Sequence, residues 1–267
     1  MASPDTAAAS EDILFGREGG VATVTLNRPR ALNAFTLGMY RRFDPMLRAW
    51  EEDPTVRAVL VRGAGERAFC AGADLGGIGS NAGPARMHEA RGGPAALFKA
   101  LWHLGKPTIA RVRGYCLAGG FGLALSCDFV VATEDSTFGA PEIDIGLWPY
   151  QITVPLIRSM PPKVALDLML TGRKVKAPEG ERMGFVSRLV SVEDLDATVD
   201  ELAATLAGKS AVVTRWGRNA FYRVIDMAGE EALDYLHAML TVATHTDDAA
   251  EGLAAFAEKR APKWTHQ

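Results

Sequence analysis

The chain has 267 residues, and 29 lysines and arginines against 32 aspartates and glutamates give it a formal net charge of −3. This length suits one large domain or two small ones with a substantial core. The balanced charge gives no electrostatic reason to expect a nucleic acid or an anionic membrane as a partner. No apolar run approaches the ~18 residues of a membrane span. The cysteines Cys70, Cys116 and Cys127 include no CxxC pair, so we expect a reducing compartment and a cytoplasmic protein.

Residues 1–10 are small and mostly polar and show no apolar period, so they predict a disordered tail. They have neither the basic start and apolar stretch of a signal peptide nor the arginines of a transit peptide, and we expect no targeting segment. The 27 glycines are about a tenth of the 267 residues, above the average share of roughly 7%. Many of them fall in two segments, 63–79 and 114–122.

Strands and helices alternate along the body of the chain. Strands are predicted at 21–26, 56–61, 107–112 and 128–132, and apolar residues three and four apart predict a helix at 36–53. This order predicts βαβ crossovers and a mostly parallel sheet. The last third predicts helices at 162–170, 192–206, 230–242 and 247–259. The second of these has an apolar stripe along one face. The helical last third can pack on the chain's own body or on another subunit, and the sequence leaves both open.

Neither glycine-rich segment is a nucleotide-binding fingerprint, because the chain has no GxxxxGK[ST] string and no GxGxxG string directly after a clean strand. Gly119 and Gly120 stand where a helix is expected to begin. The unpaired N–H groups of a helix N-terminus favour an anion or a developing oxyanion. The segment 70–74 can offer another N–H group from a tight loop. Close packing of a helix on a sheet is the alternative explanation for both groups of glycines.

Five strings point to a family: LNRPRALNAF at 26–35, FCAGADL at 69–75, GYCLAGGFGLALSCD at 114–128, FGAPEIDIGLWP at 138–149 and EGLAAFAEKRAPKW at 251–264. The strings occur in the order found in the crotonase family of enoyl-CoA hydratases and isomerases, and the chain resembles that family over nearly its whole length. The resemblance implies an α/β fold of the crotonase (ClpP/crotonase-like) type, a spiral of ββα units with a helical C-terminal region. The implied divisions are the tail at 1–10, a crotonase core at 11–190 and the helical region at 191–267.

The resemblance also implies how a substrate is held. It implies an acyl-CoA thioester whose carbonyl accepts hydrogen bonds from the backbone N–H groups of Ala73 and Gly119, which would stabilise an enolate-like oxygen. The residues implied to bind the coenzyme A part are Arg30, Ala31, Ala71, Asp74 and Leu75. Arg28 is a further candidate for the phosphates, with a surface role as the alternative.

Beyond coenzyme A as part of the substrate, the resemblance implies no cofactor. The histidines, cysteines and acids show no metal-ligand spacing, so we expect no metal site. The family implies a homotrimer or a dimer of trimers in which C-terminal helices complete a neighbour's coenzyme A site. Lys259, Arg260 and Lys263 are the basic residues best placed for that role.

The acidic residues bear on the reaction. Hydratases of the family use two glutamates, one three residues after the oxyanion glycine and one after the proline of an FGxPE string. Here the second is Glu142, but the first position is Gly122, which cannot take a proton. A single base can still take a proton at one carbon and return it two carbons along. We therefore predict Δ3,Δ2 isomerisation of an enoyl-CoA with Glu142 as the proton shuttle.

An apolar pocket is expected around this acid. Phe121, Leu147 and Trp148 are predicted to raise the pKa of Glu142, and Phe121 and Trp148 are predicted to contact the substrate.

Three alternatives stay open. Asp144 can supply a second acid for hydration, or it can be a turn or salt-bridge residue. Another family reaction, such as decarboxylation, dehalogenation or C–C cleavage, would depend on the pocket segment 76–98. A coenzyme A-binding protein without turnover is the third. Within or beside that segment, His88 and His103 are weaker candidates for catalysis than for the surface.

Overall fold

The structure is a computed structural model that describes residues 12–74 and 91–266, together with residues 83, 85 and 88. The predicted tail at 1–10, the predicted coenzyme A contact Leu75 and most of the segment 76–90 lie outside the described residues. None of the helices in the described part of the chain is long and apolar enough to cross a membrane.

A six-stranded sheet forms the larger of two layers. In spatial order its strands are β1 (Ile13–Glu18), β2 (Val21–Leu26), β3 (Ala58–Gly63), β5 (Thr108–Val112), β7 (Phe129–Thr133) and β10 (Arg188–Val190). Strands β1 and β2 are antiparallel, and every other neighbouring pair is parallel. The predicted mostly parallel sheet is confirmed, and its four predicted strands are β2, β3, β5 and β7, which begin within two residues of their predicted starts.

A second sheet has four strands of three residues each: β4 (Ala68–Cys70), β6 (Tyr115–Leu117), β8 (Thr137–Gly139) and β9 (Lys174–Lys176). The first three are parallel, and β9 runs antiparallel to β8. Along the chain the strands alternate between the sheets, from β3 to β4, from β5 to β6 and from β7 to β8. This alternation is the implied spiral of ββα units. The hydrophobic pattern did not predict the short strands because three residues are too few to show a period of two.

Helices follow the strand pairs and then make up the C-terminal region. Those of the body are α1 (Leu37–Glu52), α2 (Gly93–His103), α3 (Gly119–Ser126), α4 (Thr153–Ser159), α5 (Pro162–Thr171) and α6 (Ala177–Met183). Those of the C-terminal region are α7 (Leu195–Ala207), α8 (Ala211–Val224), α9 (Gly229–Ala243) and α10 (Asp247–Ala257). Short 3-10 turns lie at Pro29–Ala31 and Pro141–Ile145. Helix α8 was not predicted, because the β-branched residues near its start are not typical of a helix.

In the ranges that the structure describes, the buried apolar residues form two clusters. The main core includes the buried face of α1, made by Met39, Phe43, Leu47 and Trp50. The second cluster joins Leu195, Val199 and Leu202 of α7 to residues of β3, β5 and β7. The apolar stripe on α7 therefore packs on the chain's own body.

Helix α8 is joined to the body by a polar network. Arg218 Nε lies 2.8 Å from Asp128 Oδ2, and the Tyr222 hydroxyl donates to Asp128 Oδ1 at 2.6 Å. The guanidinium of Arg218 also donates to the carbonyls of Leu101 and Trp102. These contacts connect the helical region to the end of α2 and the start of β7.

Candidate active site

The three predicted catalytic residues follow three neighbouring parallel strands of the small sheet. Ala73 comes three residues after β4, Gly119 two after β6 and Glu142 three after β8. Leu117 at the end of β6 lies opposite Gly139 at the end of β8. Because the carboxyl ends of parallel strands meet at one edge of a sheet, the topology brings all three residues to the same edge.

The first candidate donor lies in the loop that follows β4. The Phe35 N–H donates to the Gly72 carbonyl at 2.8 Å, and the Asp74 N–H donates to the Phe35 carbonyl at 2.8 Å. Phe35 is thus hydrogen-bonded to the residues before and after Ala73, which is the pattern of a parallel β-bridge. In such a bridge the N–H of Ala73 points away from Phe35. No hydrogen bond among the described residues uses the Ala73 N–H.

The second candidate donor is set by an unusual residue before α3. Ala118 has φ +50° and ψ −128°, a conformation that costs a non-glycine residue about 1–3 kcal/mol. It is held because its N–H donates to the Gly139 carbonyl at 2.9 Å and its carbonyl accepts from the Gly122 N–H at 3.1 Å. The helix then begins at Gly119, whose N–H has no intrahelical acceptor.

The two donor segments are in direct contact. Gly72 has φ +102°, and a Cβ added to it would lie only 2.7 Å from the Ala118 Cβ. A Cβ added to Gly119 would lie 3.7 Å from the Gly72 Cα and 3.8 Å from the Ala73 N. The predicted donors Ala73 and Gly119 are therefore neighbours, and their close approach requires glycine at position 72.

Glu142 stands in the first turn of the 3-10 segment, directly after Pro141. Its Oε2 atom is buried and has no hydrogen-bond partner among the described residues. Burial raises the pKa of this carboxyl from 4.5 to about 7, although its own backbone N–H opposes the rise. A carboxyl with this pKa can both accept and donate a proton near neutral pH.

Of the three apolar residues expected around Glu142, Phe121 lies in the core. The Phe121 ring is fully buried in a cluster with Phe138 and Phe185, with ring centroids 5.5 and 5.1 Å away. It faces the core, so the structure does not support its predicted contact with the substrate. Leu147 is 46% exposed, and Trp148 is half-buried against the main core.

The position that carries the first glutamate in hydratases is enclosed. Gly122 is buried, and a Cβ added to it would lie 2.5 Å from Ile152 Cγ2 and 2.9 Å from Phe98 Cζ. Both neighbours are only 3% exposed. Sequence analysis did not single out either residue, because nothing in the chain's local pattern connects positions 98, 122 and 152.

Asp144, the possible second acid, is exposed and lies two residues beyond Glu142. Because a 3-10 helix has three residues per turn, the side chains of residues two apart project in different directions. A Cβ added to Gly172 would lie 2.8 Å from Asp144 Oδ1, so this carboxylate lies beside the end of α5.

The residues implied to bind coenzyme A lie on two adjacent loops. Arg30 and Ala31 are exposed in the first 3-10 turn, and Arg30 makes no ion pair within the described ranges. Ala71 and Asp74 lie on the loop after β4. The Arg28 guanidinium lies 2.8 Å from Asp74 Oδ2 and also donates to the Ala34 carbonyl at 2.7 Å, so Arg28 connects these loops.

Asn33 is a structural residue that sequence analysis missed. It is buried with φ +57°, and its Nδ2 donates to the carbonyls of Ala64 and Ala68 at 3.0 and 2.7 Å. Its Oδ1 accepts from the Arg28 N–H at 3.0 Å. The side chain thereby holds the loop of Arg30 and Ala31 beside β4.

The remaining candidates have structural explanations or lie at the surface. His88 and His103 are exposed. The three cysteines are buried, and burial raises the pKa of the Cys70 thiol to about 12. In the part of the chain that the structure describes, no cluster of three or more histidines, cysteines and acids could hold a metal ion.

Of the three basic residues predicted to serve a neighbouring subunit, Arg260 forms an ion pair with Glu251 at 2.6 Å. Lys259 and Lys263 are exposed.

Comparisons with known proteins show which family the chain resembles. Residues 16–267 match the family model described as enoyl-CoA hydratase/isomerase. A probable enoyl-CoA hydratase of Mycobacterium bovis is 37% identical over 262 residues, which cover 96% of this chain and 99% of that protein. A carnitinyl-CoA dehydratase of Proteus mirabilis is 32% identical over 260 residues, with coverage of 96% and 98%. The crystal structure of an enoyl-CoA hydratase from Mycobacterium smegmatis has a TM-score of 0.92 at 32% identity, with coverage of 96% and 99%.

Proposed function

This chain belongs to the enoyl-CoA hydratase/isomerase family, and we propose that, within the acyl-CoA chemistry of that family, it moves a double bond from Δ3 to Δ2. Glu142 acts as the single proton shuttle. The observation that carries this proposal is the enclosed position Gly122, which has neither an acidic side chain nor room for one.

The proposed reaction needs one base and one place for negative charge. The Glu142 carboxylate takes a proton from C2 of a 3-enoyl thioester, and the electron pair spreads over the dienolate to the thioester oxygen. The N–H groups of Ala73 and Gly119 donate to that oxygen. Glu142 then returns the proton at C4, which leaves the double bond between C2 and C3. Loss of one such donor typically slows a reaction by ~10²–10³.

The surroundings of Glu142 support a shuttle. A carboxyl that is charged at all neutral pH values would be a poor donor, and one that is always protonated could not act as a base. Burial without a partner for Oε2 brings the pKa of Glu142 to about 7, between these extremes.

Hydration is the second candidate, because the relatives described above are named hydratases or dehydratases. It requires one group to activate water and another to protonate the substrate carbon. Asp144 would have to be the second group, but it is exposed and lies beside Gly172. Decarboxylation, C–C cleavage or coenzyme A binding without turnover has no specific support among the described residues.

The test supplies purified protein with 3-enoyl-CoA and 2-enoyl-CoA in separate assays and follows conjugated thioester formation and hydration independently. We expect isomerisation by the wild type, a loss of about 10²–10⁴ in kcat for Glu142→Gln, and little change for the matched control Asp144→Asn. Hydration that outpaces isomerisation, or an equal loss in both variants, would show that the assignment is wrong.

We also propose that Arg30, Ala31, Ala71, Asp74 and Leu75 contact the coenzyme A part of the substrate and that the reaction requires no cofactor. We further propose that the protein assembles as a trimer or a dimer of trimers. Exposed apolar side chains on α9 and α10 support the assembly, since large exposed apolar patches are typical of interfaces.

A further inference from the structure

Two buried side chains occupy the space into which a second acid would project. We propose that Ile152 and Phe98 determine the reaction specificity of this site by filling that space, so that neither a carboxylate at position 122 nor a water beside it is accommodated. The inference deepens the proposed isomerisation and rests on it for the identity of the favoured reaction.

The first step of the argument is the direction of position 122. Gly122 is three residues after Gly119 in α3, and residues three apart lie on the same face of a helix. A side chain at position 122 would therefore start about one helical turn from Gly119, on the same side of α3. In this chain that direction leads into Ile152 Cγ2, Ile152 Cβ and Phe98 Cζ at 2.5 to 2.9 Å from an added Cβ. Even alanine would not fit without a shift of its neighbours.

The second step is that both filling side chains are fixed. Ile152 and Phe98 belong to the main core, and close-packed interiors yield little to an added group. The Ile152 carbonyl accepts from the Leu156 N–H at 3.0 Å, which ties the residue to the start of α4. The neighbouring Gln151 side chain donates to the Arg91 carbonyl at 2.6 Å, close to the start of α2, which carries Phe98.

The third step concerns water. A bound water needs two to four polar partners, and apolar walls do not provide them. Ile152 and Phe98 offer none, and the backbone carbonyl of Gly122 already accepts from the Ser126 hydroxyl at 2.7 Å. The wall that excludes a second acid is therefore also unsuited to hold the water that hydration consumes.

The experiment measures thermal unfolding and both activities in Gly122→Glu, Ile152→Gly and the double variant. We expect Gly122→Glu alone to lower the Tm strongly. The Tm of the double variant should be higher than the value expected if the two single changes in Tm simply added. The double variant should also hydrate 2-enoyl-CoA at least 10-fold faster than the wild type and either single variant.

Two controls make the result specific. Gly122→Gln with Ile152→Gly should recover the Tm but not the hydration, because it restores the volume without an acid. Gly122→Glu with Val199→Ala, a truncation in the second apolar cluster, should recover neither. Additive Tm changes in Gly122→Glu with Ile152→Gly would overturn the inference, and so would a recovered Tm of that double variant without gain of hydration. Failure of the wild type to isomerise would instead count against the proposed function, because the Tm coupling is measured independently of the reaction.

Discussion

Glu142 is a carboxyl that this fold makes costly to charge. Its Oε2 atom is buried without a partner, and the pKa is raised to about 7. In the folded protein it therefore binds a proton up to a pH at which the unfolded chain has lost it. Since the folded state then binds more protons than the unfolded state, stability falls as the pH rises from about 4.5 to about 7 and levels off above that.

Glu142→Gln should consequently stabilise the protein more at pH 8 than at pH 5, because glutamine has no charge to bury. The measurement is the Tm of both proteins at the two pH values, with Asp144→Asn as the exposed control. An equal Tm difference at pH 5 and pH 8 would contradict the raised pKa of Glu142.

The same carboxyl should govern the pH dependence of activity. A base must be ionised in the free enzyme, so kcat/KM for isomerisation should rise with pH and level off above about 7. The profile is measured with 3-enoyl-CoA from pH 5 to pH 9. A rate that is already maximal at pH 5 would mean that another group acts as the base.

The motif strings were sufficient to name Ala73, Gly119 and Glu142 as candidate site residues, because each stands at a fixed offset within its string. They were insufficient for Phe121. This residue follows the first two glycines of α3, and seven of the eight residues of that helix are buried, so its neighbours in the sequence do not reveal which side faces a substrate.

At the scale of elements, the candidate site depends on how two short loops approach each other. Gly72 and Gly119 are both glycines of the donor segments, yet their surroundings differ. Gly72 has a positive φ and lies against Ala118, whereas an added methyl at Gly119 would meet its neighbours only at ordinary contact distances of 3.7 to 4.0 Å.

Gly72→Ala should therefore lower the free energy of unfolding by about 1–3 kcal/mol, from an unfavourable φ and a crowded contact. Gly119→Ala should leave it nearly unchanged but lower kcat/KM, because its methyl would stand 3.8 Å from the Ala73 nitrogen. Denaturant unfolding and kinetics of both variants separate the two effects. A Gly72→Ala protein as stable as the wild type would contradict the packing described here.

For the whole molecule, the C-terminal helices differ in how they are covered. Helix α7 buries its apolar stripe against β3, β5 and β7, but α9 has no buried residue in this single chain. Its Leu233 and Leu240 are 69% and 64% exposed, and residues seven apart share a helix face. This exposed face is where we expect subunits to meet.

Replacing both Leu233 and Leu240 with glutamate should shift the protein from a trimer or larger assembly towards a monomer. Sedimentation velocity measures the change, and Glu231→Gln on the same helix is the control. Unchanged sedimentation of the double variant would place the interface elsewhere.

The sequence by itself determined the family, the alternation of strands and helices, and the candidate site residues that lie within contiguous motifs. These features are local: a hydrophobic period, a glycine before a helix or a glutamate after a proline is visible within about ten residues. The tertiary structure alone decided that Ala73, Gly119 and Glu142 share one edge of the small sheet and that α7 packs on the body. It also decided that Ile152 and Phe98 close the position beside Gly122. These outcomes depend on contacts between distant segments, for which close packing sets the spacing and local pattern carries no information.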